Sequence, residues 1–143
     1  MNIEEAKKIT LSLISTFNKA GELALYLREI GLKKETKLDN TPVSNGDIEV
    51  NKILTNEIKR LTPNIPIVSE ENSDHKKDKN LKDFWLIDPI DGTRDYINNR
   101  DEFTLNAALI LNKKPVIGII TAPAKKRVFY SYALSHSYEL IDN

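Results

Sequence analysis

Residues 84–93 read Phe84-Trp85-Leu86-Ile87-Asp88-Pro89-Ile90-Asp91-Gly92-Thr93. Residues 84–87 form a short continuous apolar run, the pattern of a buried strand. The run leads directly into two carboxylates three residues apart, with a proline, a glycine and a hydroxyl around them. Pro89 and Gly92 are expected to force a tight turn that aims both carboxylates and the Ile90 carbonyl at one point. Hard cations such as Mg²⁺ take oxygen ligands of this kind, stay partly hydrated and complete their shell with a substrate phosphate. Gly92 lets the backbone approach a ligand closely, and amides from Gly92 onward can hold phosphate oxygens at a turn or helix start. The plain alternative for the hexapeptide alone is an Asp-Gly turn that caps a strand.

Working upstream, residues 65–69 are a second short apolar run, bounded by proline and by Glu70 and Glu71. Glu70 and Glu71 close this strand as Asp88 closes the strand at 84–87. If the two strands are neighbours, the carboxylates gather at one sheet edge, where a cation is the simplest remedy for their repulsion. A solvated acidic loop is the plain alternative. Residues 3–30 carry Ala6, Ile9, Leu13, Phe17, Ala20, Ala24 and Leu27 at steps of three and four, one stripe of a long amphipathic helix that stops at Gly31. Residues 33–46 are polar, with Pro42 and Gly46, and predict a loop or short hairpin. A second helix is expected from Ser44, with Asp47 three residues on as the acidic partner of a capping pair and Val50, Ile53, Leu54, Ile58 and Leu61 as its apolar face. On local grounds Asp47 simply complements the helix N-terminus.

Downstream, a turn or short helix is expected over 93–99, then strands over 103–111, 116–121 and 127–132, with a hairpin turn at 112–114. Residues 72–82 read as a solvated loop. Two helices followed by a meander of strands predict an α+β domain, with two N-terminal helices packed on a largely antiparallel sheet. His75 and His136 have no partners at metal-ligand or triad spacing and are set aside. Lys113, Lys114, Lys125, Lys126 and Arg127 read as solvated turns and strand ends.

The 143 residues suffice for one domain with a real core. Lys plus Arg and Asp plus Glu both number 21, so the net charge is zero, which argues against gripping nucleic acid or membrane by bulk electrostatics. The absence of cysteine excludes disulfides, thiolate metal sites and cysteine nucleophiles. No apolar run approaches a membrane span, and a cytoplasmic location is expected.

Glu70-Glu71 followed by Trp85-Leu86-Ile87-Asp88-Pro89-Ile90-Asp91-Gly92-Thr93 is similar to the signature of the lithium-sensitive, Mg²⁺-dependent phosphatases. These are the inositol monophosphatases, fructose-1,6-bisphosphatases and 3'(2'),5'-bisphosphate nucleotidases. Residues 37–44 before Asp47, 66–71, Gly92-Thr93-Arg94-Asp95-Tyr96, 102–106 and 115–123 resemble the CysQ-type bacterial nucleotidase branch. The resemblance implies the first layer of the inositol-monophosphatase/fructose-bisphosphatase-like fold. It implies that Glu70, Asp88, Asp91 and the Ile90 carbonyl bind two or more Mg²⁺ ions, with Asp88 bridging. Asp47 and Thr93 would activate the attacking water as general base and hydroxyl relay. The backbone of Gly92 and Thr93 would hold phosphate, with Glu70 and Asp91 also at the substrate. The implied reaction is hydrolysis of 3'-phosphoadenosine 5'-phosphate to AMP and phosphate, a step of sulfur metabolism.

Members of the family are about twice as long, so residues 1–143 are expected to be the N-terminal metal-binding domain. The second half, which supplies a further metal-binding aspartate and most nucleoside contacts, is absent from them. A homodimer or a complementing C-terminal half is the expected macromolecular partner. Ser44-Asn45-Gly46 stands where the family usually has Thr-x-Ala, and residues 135–143 lack the glycine-rich turn expected after the last strand. Two alternatives stay open: an inositol-monophosphatase-like enzyme, and a non-catalytic truncated or split-gene fragment. Haloacid-dehalogenase phosphatases are set aside, because their two aspartates are separated by one residue where this chain has two.

Overall fold

The computed structural model describes residues 1–71, 80–133 and 136–141. Helix α1 (Ile3–Ile30) begins at an Asn2–Glu5 capping box and ends at Gly31, whose φ of +109° is glycine's territory. A short antiparallel hairpin, β1 (Lys34–Thr36) and β2 (Pro42–Ser44), leads into α2 (Asn45–Leu61). The remaining elements are β3 (Ile67–Ser69), β4 (Phe84–Asp91), α3 (Thr93–Ile97), β5 (Thr104–Leu111), β6 (Lys114–Ala122), β7 (Arg127–Tyr132) and β8 (His136–Ile141). Strands β3 to β8 form one six-stranded sheet in chain order. All its pairs are antiparallel except β3 and β4, which run parallel. This is the expected α+β architecture.

The two helices pack together and cover one face of the sheet, α1 over β6 and β7 and α2 over β3 and β4. Period-two alternation sends Trp85, Ile87, Leu105, Leu109, Ile117 and Ile119 into the helices, where they meet Leu13, Phe17, Val50, Leu54 and Ile58. The indole of Trp85 donates to Thr62 Oγ1 at 2.9 Å, and that hydroxyl donates to Ile58 O, so the end of α2 is pinned to β4.

Among the described residues no helix covers the other sheet face. Register places Leu86, Ala108, Gly118, Ser131 and Ser137 in one cross-strand row on it, and Asp88, Asn106, Ile120, Phe129 and Glu139 in the next. Leu86 is 49% exposed and Ile120 45%. Among the described residues no helix is long and apolar enough to cross a membrane.

Three expectations need correction. First, β4 does not stop at residue 87 and turn; it continues to Asp91 through a β-bulge between Asp88 and Asp91. Pro89 has no N–H for the ladder, and a bulge accommodates it without leaving the sheet. Second, residues beyond 132 add strand β8, which pairs with β7 through a turn at Ala133, whose φ is +58°. Third, β3 begins at Ile67 rather than at residue 65. The loop expected over 72–82 lies largely outside the described residues, and His75 lies wholly outside them.

Trp85→Phe removes buried ring volume together with the hydrogen bond to Thr62, so it should destabilise the fold by about 1–3 kcal/mol. Urea unfolding followed by circular dichroism measures this. A change below about 0.5 kcal/mol, within the scatter of a surface substitution, would show that the anchor is not one.

Candidate active site

Ser44 has extended backbone (φ −121°) and caps α2, because a β-region residue with a short hydroxyl can satisfy the free amides of the first turn. The reciprocal half of the capping box is Asp47. Its Oδ2 accepts from the Ser44 amide at 2.8 Å and from the Ser44 hydroxyl at 2.6 Å. Its Oδ1 accepts from Thr93 Oγ1 at 2.9 Å, across 46 residues of sequence. Asp47 is 0% exposed. A buried carboxylate is tolerable because both its oxygens are hydrogen-bonded.

Thr93 opens α3, and Gly92 before it adopts the left-handed conformation (φ +86°, ψ +41°). A Cβ at position 92 would also come within 2.9 Å of the Glu102 carbonyl, so glycine is required there for both conformation and space. The Ile90 carbonyl lies 3.2 Å from Thr93 Oγ1, which it shares with the shorter contact to Asp47.

The bulge decides where the carboxylates of β4 point. Asp88 pairs with Asn106 and Asp91 with Thr104, so three steps on β4 match two on β5. Asp88 and Asp91 therefore share the face of their partners, although strict alternation would place them on opposite faces. Ile90, buried at 2%, turns into the core instead and holds its carbonyl in place. Ser69 pairs with Ile87 across the parallel ladder, and the Glu70 amide donates to the Ile87 carbonyl at 3.1 Å, which sets Glu70 alongside Asp88. The Ser69 hydroxyl lies 2.5 Å from Asn51 Oδ1 on α2, tying the end of β3 to that helix. Lys37, in the hairpin loop, reaches Glu71 at 3.4 Å.

The five acids act on one another. Asp88 titrates at about 6, pushed up first by burial and then by the charges of Asp91, Glu70, Glu71 and Asp47. Burial also raises Glu71, against the pull of Lys37. Among the described residues no group of three or more His, Asp or Glu side chains is placed so that it could hold a metal ion. This donor set still fits Mg²⁺, which uses one or two carboxylates and keeps several waters and phosphate oxygens, where a dedicated all-protein cage is unusual. The fit rests on the chemistry of the set: hard oxygen donors with mutual repulsion that a dication relieves.

Each site residue read from the sequence thus falls in one region, where α2, β3, β4 and α3 meet. His136 lies on β8, at the opposite sheet edge from β3. The sequence reading assigned no role to Lys37, Asn51 or Ser69. Lys37 and Glu71 are 34 positions apart, and no local pattern links them.

Comparison with known proteins agrees with this fold. A 3'(2'),5'-bisphosphate nucleotidase CysQ from Haemophilus influenzae is 42% identical over 99 residues, which is 68% of this chain and 37% of that protein. The crystal structure of CysQ from Bacteroides thetaiotaomicron superposes with a TM-score of 0.71 and 27% identity, over 99% of this chain and 51% of that one. An IMPase/NADP phosphatase complexed with Mg²⁺ and phosphate superposes with a TM-score of 0.82 at 18% identity, over 94% and 51%. The chain therefore spans about half the length of the relatives it matches, or less. The family model described as the inositol monophosphatase family matches residues 5–138, and the chain belongs to that family.

Proposed function

We propose that this chain is the metal-binding half of a Mg²⁺-dependent phosphomonoesterase that acts on a small phosphorylated nucleotide, with 3'-phosphoadenosine 5'-phosphate as the expected substrate and AMP and phosphate as products. The observation that carries the reading is the Thr93–Asp47 hydrogen bond. Asp47 is sealed from solvent and Ser44 occupies its Oδ2, so the half-buried Thr93 hydroxyl is its route to a reacting water. Thr93 donates its own proton to Asp47 Oδ1 and offers its lone pairs to a water proton. Asp47 is then the general base and Thr93 the relay.

Glu70, Asp88, Asp91 and the Ile90 carbonyl are assigned to Mg²⁺, with two or more ions expected. Bound there, Mg²⁺ supplies charge neutralisation for the phosphoryl group and lowers the pKa of water. The backbone at Gly92 and Thr93, with Glu70 and Asp91, borders the phosphate. The nucleotidase names of the CysQ relatives favour this substrate over inositol phosphates.

A second reading is that turnover needs another polypeptide seated on the open sheet face. The exposed Ile120, in the row of Asp88, and the exposed Leu86, in the row beside it, favour it.

Phosphate release from 3'-phosphoadenosine 5'-phosphate and from inositol 1-phosphate, with and without Mg²⁺, tests the proposal. The expected result is Mg²⁺-dependent release from the nucleotide, reduced about 10²- to 10⁴-fold by Asp47→Asn. Absence of release from monodisperse wild-type chain, by sedimentation, rejects turnover by this chain alone and favours the second reading.

A second prediction concerns pH. The folded pKa of Asp88 is about 6, above the ordinary 3.8 of the unfolded chain. Between these values the folded chain binds the extra proton, so metal-free stability should fall as pH rises from about 4 to above 6. Asp88→Asn should therefore raise the melting temperature of the metal-free chain at pH 7.5 and abolish the rise caused by Mg²⁺. A mutant that melts lower than wild type without metal, or responds equally to Mg²⁺, contradicts this account.

A further inference from the structure

Gly46 and Tyr96 meet more closely than any other glycine and side chain in the fold. A Cβ on Gly46 would lie 2.3 Å from the Tyr96 hydroxyl oxygen and 2.7 and 2.8 Å from ring carbons Cε2 and Cζ. The phenol thus occupies the volume that a side chain at position 46 would need. Tyr96 is 0% exposed, and its ring cannot easily swing aside. Its hydroxyl donates to the Ala24 carbonyl of α1 at 2.7 Å, and its ring packs tilted against Phe103 at 4.9 Å. The Arg28 guanidinium lies 5.7 Å from the Tyr96 ring centroid and 5.1 Å from that of Phe103. One side chain therefore joins α1, the first turn of α2, α3 and the residue that precedes β5.

The neighbours of this contact are the two groups assigned to water activation. Asp47 follows Gly46 directly, and Thr93 lies three residues before Tyr96, one turn along α3. The Tyr96–Gly46 contact thus lies between α2 and α3, beside the 2.9 Å Thr93–Asp47 bond. We propose that Tyr96 is a positioning residue for the Asp47–Thr93 pair and that Gly46 is the socket that admits it. The inference rests on the roles proposed above for Asp47 and Thr93. A methyl group at position 46 must push the phenol or the helix by a few tenths of an ångström to about 1 Å, and displacements approaching 1 Å at a reacting pair cost about 10²-fold in rate.

The test is a cycle of Gly46→Ala, Tyr96→Phe and the double variant, read in the whole chain by two methods. The first is the Thr93 methyl resonance in threonine-labelled protein, assigned with Thr93→Ser; Asp47→Ala marks its position when the hydrogen bond is lost. The second is thermal melting. Gly46→Ala should melt lower than wild type and move the Thr93 resonance toward the Asp47→Ala position. The double variant should recover part of both changes, because a ring without the hydroxyl is no longer tied to Ala24 and can yield. If the wild type releases phosphate, Gly46→Ala should lower kcat by about 10-fold or more with KM within about twofold, and the double variant should regain part of it. A Thr93 resonance unmoved in Gly46→Ala, despite a lower melting temperature, would reduce the contact to a structural one and overturn the proposal. A double variant no better than Gly46→Ala would overturn it too. Failure of the wild type to release phosphate would count against turnover by this chain alone, while the resonance and melting cycle would still decide the positioning claim.

Discussion

The site depends on the bulge that interrupts β4 between Asp88 and Asp91. A strand without it would place Asp88 and Asp91 on opposite faces of the sheet, with one of them in the helical core beside Trp85 and Ile87. An ionised carboxylate there, away from any partner, would cost several kcal/mol or lose its charge. The extra residue lets Pro89 and Ile90 fill the core while both aspartates stay on the solvent side. It also ends the ladder at Gly92, from which the chain can enter α3 and bring Thr93 back over α2. A backbone irregularity thus reconciles a buried strand with a paired acid site.

Around that bulge the fold treats two kinds of carboxylate differently. Asp47 is fully enclosed, and its negative charge is met by three donated hydrogen bonds from Ser44 and Thr93. Asp88 is half-buried, the Glu71 side chain more deeply so, and both face like charges, so their proton affinity rises. Hydrogen-bonded enclosure suits a base of fixed position, and mutual repulsion suits a group that awaits a cation. The contrast follows from place: Asp47 sits in the capping box of a helix pressed against the sheet, whereas the other acids end strands at the rim.

Among the described residues, the same sheet that carries the acids has one face without helices. Its rows combine small residues, Ala108, Gly118 and Ser131, with exposed Leu86 and Ile120, and they continue directly into Asp88 and Asn106. Apolar residues grouped on an open face beside a charged site are unusual for a surface that meets only water. The relatives extend for about as many residues again as this chain contributes to the match. Site and open face are therefore best considered together in any account of turnover.

The sequence by itself determined the elements and the chemistry of the acids. The three- and four-residue apolar steps drew α1 to its final bounds, the Ser44–Asp47 spacing specified the capping box, and the alternation over 103–111 marked a strand. Such features are local, so composition and spacing carry them. Glu70, Asp88 and Asp91 were legible for the same reason, as acids at strand ends. Only the tertiary structure decided that β3 lies parallel to β4, that a bulge and not a turn aligns Asp88 with Asp91, that Thr93 reaches Asp47, and that Lys37 reaches Glu71. It also decided that residues 136–141 form an edge strand, because β8 is held by pairing with β7 while Tyr138 and Leu140 stay exposed and mark no core-facing side. Each of these joins positions distant in sequence through register or packing, and neither register nor packing is encoded in any short stretch of the chain.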